Sequence, residues 1–192
     1  VERPVRPMRA QRLPTAREIL ERMGGTGAAE YKFDGERLQV HKNGDRVILF
    51  SRNLENVSGH YPDAAGLSRT HIRAGEAIVE CECVAVDPDT GELRPFQELM
   101  HRRRKHGVEE AMRAYPVSLF MFDVLYAEGV DYTLEPYAER RAELERILAQ
   151  DDQVKVVPSL VTGDLDRLER FFEGAIQDGC EGLMIKDLNS VY

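Results

Sequence analysis

A lysine set between carboxylates in a strand-forming run, Glu30-Tyr31-Lys32-Phe33-Asp34-Gly35-Glu36-Arg37, constrains this chain more than any other stretch. Strand side chains alternate between faces, so an extended backbone puts Glu30, Lys32 and Asp34 on one side and Tyr31 and Phe33 on the other. Asp34-Gly35 is a turn signal. The apolar runs Leu38–His41 and Val47–Phe50 then flank Asn43-Gly44, the signature of an antiparallel hairpin. An isolated Lys-x-Asp-Gly can be no more than a charged sheet edge, so the rest of the chain must decide its meaning.

Composition narrows the setting. At 192 residues and 42% hydrophobic, the chain can bury a real core as one domain. A net charge of −8 argues against coating nucleic acid by bulk attraction, though a local basic surface can still meet phosphates. Three cysteines make neither a disulfide framework nor a paired zinc site, which suits a reducing compartment. No apolar run reaches membrane length and the amino terminus has no hydrophobic signal core, so an intracellular protein is expected, cytoplasmic in a prokaryote or nuclear in a eukaryote.

Residues 1–14 carry Arg3, Arg6, Arg9 and Arg12 among prolines, reading either as a solvated extended linker or as a nucleic-acid contact. Thr15 caps a helix with Glu18 at the capping-box position, and Ile19, Leu20 and Met23 form its apolar stripe, stopped by Gly24-Gly25. This helix is expected to pack on the sheet that carries Lys32. Arg52 follows a buried strand, where its guanidinium would fork onto phosphate or a ribose edge or stay a solvated charge.

Further helices are expected from Pro62, from Pro95 to Met100, over Val108–Ala114, from Pro136 to about Gln150, and from Asp164 to Asp178. The strand over 77–86 pleats Glu80 and Glu82 onto one face. Such paired acids imply a metal, sugar hydroxyls or a structural salt bridge. His101-Arg102-Arg103-Arg104-Lys105-His106 is the densest positive run, either a solvated face or a contact from Arg102, Arg103, Arg104 and Lys105 to a nucleic-acid backbone. Strands over 117–126, with Phe122-Asp123, over 154–157, and over Glu181–Lys186 complete the chain.

Taken in order, these segments resemble the covalent nucleotidyltransferases, and most closely the adenylation domain of ATP-dependent DNA ligases of the archaeal and eukaryotic replicative type. Lys32-x-Asp34-Gly35-x-Arg37 resembles the nucleophile motif; Ser51-Arg52-Asn53-Leu54-Glu55-Asn56, Glu80-x-Glu82, Phe122-Asp123-Val124-Leu125 and Glu181-Gly182-Leu183-Met184-Ile185-Lys186 resemble the motifs that follow. Cys81 stands where the family commonly has glycine, which a packed strand face tolerates.

The resemblance implies an α+β nucleotidyltransferase (ATP-grasp-like) ligase fold of two mainly antiparallel sheets flanked by helices, with the nucleotide between them. It implies that Lys32 attacks the α-phosphorus of ATP to give lysyl-AMP, from which AMP passes to a DNA 5′-phosphate. It assigns Glu30 to the adenine amino group, Arg37 and Arg52 to ribose and phosphate, and Glu82 to a ribose hydroxyl or a metal. Phe122 would stack on adenine, Glu181 would hold Mg²⁺, and Lys186 would sit near the phosphates. Residues 1–14 would be a linker from a DNA-binding domain and 15–192 an adenylation domain ending before the last motif, with weak or no self-adenylation by itself. Expected partners are nicked double-stranded DNA and a sliding clamp through other regions, with a monomeric state and no membrane contact. An RNA ligase, a GTP-using capping enzyme, or a binding module without turnover are the alternatives.

Overall fold

A computed structural model describes residues 1–103 and 107–192. Two sheets carry the architecture. The smaller is antiparallel, with β1 (Gly27–Lys32) between β8 (Ser159–Thr162) and β9 (Gly182–Lys186). The larger runs β3 (Arg46–Ser51), β2 (Glu36–Asn43), β4 (Glu76–Ala85), β5 (Val117–Ala127) and β6 (Val130–Asp131), and β7 (Val154–Val156) pairs with β5 in parallel. The expected two-sheet α+β arrangement is present, with that one parallel pairing inside it.

The residues Phe33 to Gly35 carry the chain from the small sheet into the large one. The lysine motif is therefore the crossing point between sheets.

Alternation along β2 and β4 gives the large sheet two different faces. Leu38, Val40, Val79, Cys81, Leu119 and Met121 point into the main core, where α2 (Pro62–His71) and α5 (Tyr137–Ile147) contribute Ala64, Ala65, Leu144 and Ile147. Cys81 is fully buried there, so the packed-face condition is met. Arg37, Gln39, His41, Glu80 and Glu82 occupy the opposite, polar face.

The small sheet is backed by helices. Leu20 of α1 (Ala16–Arg22), Ala29 of β1 and Leu168 of α6 (Leu165–Gln177) form one apolar cluster, as expected for the first helix. Thr15 caps α1 by accepting from the Glu18 amide at 3.2 Å, and Gly24, Gly25 and Gly179 take the positive φ that ends the two helices.

Some boundaries differ from expectation. The hairpin turn is Gly44-Asp45, one residue on, with Gly44 at φ 57° and Asn43 paired to Arg46. Helix α5 stops at Ile147 because Leu148 bridges to Ile72 and the Ala149 amide donates to the His71 carbonyl at 2.8 Å, which pulls the chain into extended form. Short α3 (Phe96–Leu99) runs into a 3₁₀ turn at Met100–Arg103, and α4 (Val108–Ala114) falls where the sequence places it. Strands β6 and β8 carry no clear sequence signal.

Residues 2–8 are not a free tail. They lie across the polar face of β2, where Val5 exchanges two hydrogen bonds with the Gln39 amide (2.7 and 3.0 Å), and the Glu2 amide donates to His41 Nδ1 at 2.9 Å. Among the described residues, no helix is long and apolar enough to cross a membrane.

Candidate active site

Lys32 is the last residue of β1, paired with Gly182 of β9. One step further, the Glu181 amide donates to the Lys32 carbonyl at 2.8 Å, and the Glu181 carboxylate pairs with the Lys32 ammonium. Both side chains remain 44% exposed, so the pair is accessible and weakly held.

Gly35 presses the crossing against β4. A Cβ there would fall on the Cys83 carbonyl oxygen and within 3.0 Å of Val84 Cγ2, so the position demands glycine for space. The close approach lets the Gly35 backbone bond Glu82. Burial pushes the Glu82 carboxyl up to about 7, against the pull of Lys32, Arg37 and that Gly35 bond. Asp34 has a structural duty, accepting from the Phe96 amide at 3.2 Å at the start of α3.

Glu30, two residues before Lys32 on the same face, is 2% exposed. Its carboxylate accepts from the Tyr137 hydroxyl, from Arg141 at 3.2 Å and from Lys186 at 2.8 Å, so the buried charge is fully compensated. The Lys186 ammonium also lies 5.2 Å from the Phe122 ring centroid and 5.1 Å from that of Tyr137. Because Lys186 pairs with Ala28 in the β1–β9 register, it sits at the Glu30 end of the strand and not beside Lys32. Tyr137 and Arg141 reach Glu30 from one face of α5. Their four-residue spacing puts them on a common stripe, but nothing in the sequence names their target.

Arg37 is the hub of the polar face. It donates to Glu80 at 2.6 Å, to the Met8 carbonyl at 2.8 Å and to the Tyr192 hydroxyl at 3.3 Å, while its carbon centre lies 5.2 Å from the Phe122 ring centroid. Tyr192 in turn donates to Glu80 at 3.0 Å and accepts from the Met8 amide at 3.1 Å. Glu80 is 1% exposed and also receives Gln39, so of the paired acids it is the structural member and Glu82 the one nearer Lys32. Arg52 is exposed on the turn after β3 and shares a groove with Arg37, Gln39 and Val5.

The basic run divides. Arg102 is 1% exposed, forks onto Asp63 at 2.9 and 2.5 Å and lies 5.1 Å from the Tyr61 ring centroid. Its charge is consumed inside the fold, which removes it from any surface for nucleic acid. The Arg103 side chain, Arg104 and Lys105 lie outside the described residues.

Glu82 and Glu181, the two expected metal ligands, both neighbour Lys32; among the described residues no group of three or more His, Cys, Asp or Glu comes together as a metal cage. One or two carboxylates suit Mg²⁺, which keeps several waters and takes other oxygens from phosphates. The donor set fits that ion.

The fold has counterparts among ligases. Mycobacterial DNA ligase D complexed with ATP and MES superposes with a TM-score of 0.66 at 26% identity, over 87% of this chain and 50% of that one. Chlorella virus DNA ligase-adenylate shares the fold with a TM-score of 0.54 at 16% identity, over 86% and 56%.

Residues 7–192 match the ATP dependent DNA ligase domain. The DNA ligase of Staphylothermus marinus is 52% identical over 191 residues, covering 98% of this chain and 32% of that protein. DNA ligase 2 of Thermofilum pendens is 51% identical over 192 residues, again 98% and 32%. The chain belongs to the ATP-dependent DNA ligase family, as its adenylation domain. It spans about a third of the length of the curated relatives it matches (32%), and these likenesses do not favour an RNA ligase or capping enzyme.

Proposed function

We propose that this chain performs the nucleotidyl transfer that begins ATP-dependent DNA joining. Lys32 Nζ, freed of its proton, attacks the α-phosphorus of ATP. A P–N bond forms, the α–β phosphoanhydride breaks, and pyrophosphate leaves. In the following step a 5′-phosphate at a DNA nick takes the AMP and frees Lys32, and a 3′-hydroxyl then displaces AMP to join the strands. The observation that carries this reading is the convergence of Glu82 and Glu181, from segments far apart in the chain, on an accessible lysine at the junction of two sheets.

The remaining residues take supporting roles. Phe122 offers a ring for the purine, and Glu30, fixed by Tyr137, Arg141 and Lys186, closes the pocket where the amino edge would lie. Arg37 and Arg52 face the ribose and phosphates. Mg²⁺ held by Glu181 and Glu82 would neutralise charge on the triphosphate. A sliding clamp as partner, a monomeric state and residues 1–14 as a link to a DNA-binding domain belong to the same proposal.

The test is retention of label. The full natural-length protein, incubated with ATP labelled at the α or the γ phosphate, should keep only the α label through denaturation, in an acid-labile, alkali-stable bond. Retained γ label, or preferential labelling by GTP, would defeat the reading.

A further inference from the structure

The arginines near the amino terminus recur as Arg3, Arg6, Arg9 and Arg12, a strict period of three. Glu2 takes a positive φ of 74°, so the segment is not one regular helix and its period shows in the contacts. The grips on this segment follow the same period. Glu2, Val5 and Met8 are held through their backbones by His41, Gln39 and Arg37, every second residue of β2. Pro4, Val5, Pro7 and Met8 are half-buried against that strand, while Arg3, Arg6, Arg9 and Arg12 stay exposed.

Two of these arginines have a destination. Arg6 and Arg9 line an open groove of ≈ 470 Å³ together with Pro7, Arg52, Asn53 and Leu54. Arg52 is the third cation lining it. None of the three arginines forms an ion pair among the described residues. In a chain of net charge −8, three unneutralised guanidinium groups around one groove form a local anion site, which bulk charge would not supply. The groove is continuous with the active face, because Pro7, Arg52 and Leu54 also line the recess containing Arg37 and Glu80.

We propose that this groove holds the phosphodiester backbone of a DNA strand, with Arg6 and Arg9 each forking onto a phosphate and β2 acting as the rail that fixes them. The inference rests on the ligase reading for the identity of the polyanion. Arg6 and Arg9 are distinct from the groups assigned to nucleotidyl transfer, and Arg52 is the one cation shared between the groove and that site.

The experiment is a salt titration of binding to a 5′-phosphorylated nicked duplex by fluorescence anisotropy, with α-labelling of Lys32 by ATP measured in parallel. The full-length protein is compared with Arg6→Gln/Arg9→Gln and with Arg3→Gln/Arg12→Gln, which removes equal charge outside the groove. The groove variant should lose about 1.8 from the slope of log K against log [salt], two phosphates at about 0.9 each. The control should lose much less, and labelling should be normal in both. An unchanged slope in the groove variant, or an equal loss in the control, overturns the proposal. Failure of the unaltered protein to label would count against the ligase reading instead, and the comparison of slopes would still decide whether the groove binds DNA.

Discussion

Lys32 and Glu181, 149 residues apart in sequence, meet across the β1–β9 pairing, with a backbone bond from the Glu181 amide and an ion pair between the side chains. The backbone bond fixes their positions. The ion pair, with each side chain 44% exposed, can be exchanged for a ligand at little cost.

Removing the Glu181 carboxylate should therefore separate stability from activity. Glu181→Ala is expected to cost about 1 kcal/mol or less in denaturant unfolding, as exposed ion pairs do. α-Labelling of Lys32 should fall by more than an order of magnitude. A large loss of stability with unchanged labelling would assign Glu181 to structure alone.

Glu82 predicts a pH effect with a definite sign. Its carboxyl titrates near 4.5 when unfolded and at about 7 when folded, so between these values the native state binds the extra proton. Stability from this group is therefore present below about 4.5 and is lost as pH rises through about 7. Thermal melts should show Glu82→Gln gaining on the unaltered protein as pH increases from 5 to 8. A constant difference across that range would contradict the burial of this carboxyl.

Gly35→Ala places a methyl on the Cys83 carbonyl, and backbone must move to relieve it. A loss of about 1–3 kcal/mol is expected, as for other overpacked sites. Because Glu82 and Lys32 lie on either side of this crossing, labelling should fall as well. Tolerance of alanine with full activity would show that β4 and the crossing can separate freely.

Asp123 and Arg140 form a buried pair at 2.8 Å, 1% and 0% exposed at the side chains, and Arg140 also donates to the Glu135 and Ser190 carbonyls at 2.7 and 2.9 Å. Asp123→Ala strands the guanidinium and should cost about 3–5 kcal/mol. The double change Asp123→Leu/Arg140→Met should cost less than the single one. If the two effects simply add, the pair is not coupled as its geometry implies.

Local chemistry made much of the fold legible. The Thr15 cap, the glycine stops at Gly24-Gly25 and Gly179, and the pleat of Glu80 and Glu82 each depend on neighbouring residues alone, and each is present. The tertiary partners were not legible. Arg102 sits in a basic run that reads as surface, and only the fold shows Asp63 and Tyr61 enclosing it. Tyr137 and Arg141 carry no motif, yet they complete the shell of Glu30 from 107 and 111 residues away. Residues 2–8 read as part of a tail because their grips on Arg37, Gln39 and His41 are made by backbone atoms, a pattern that side-chain composition does not encode.

Nucleotidyl transfer here turns on one nitrogen atom, which peptide mapping of the full-length protein after exposure to ATP and Mg²⁺ would locate. A single adenylyl group is expected on the peptide containing Lys32, assigned to that side chain by fragmentation, with no adduct in Lys32→Ala. An adduct on another residue, or one that persists in Lys32→Ala, would contradict that assignment.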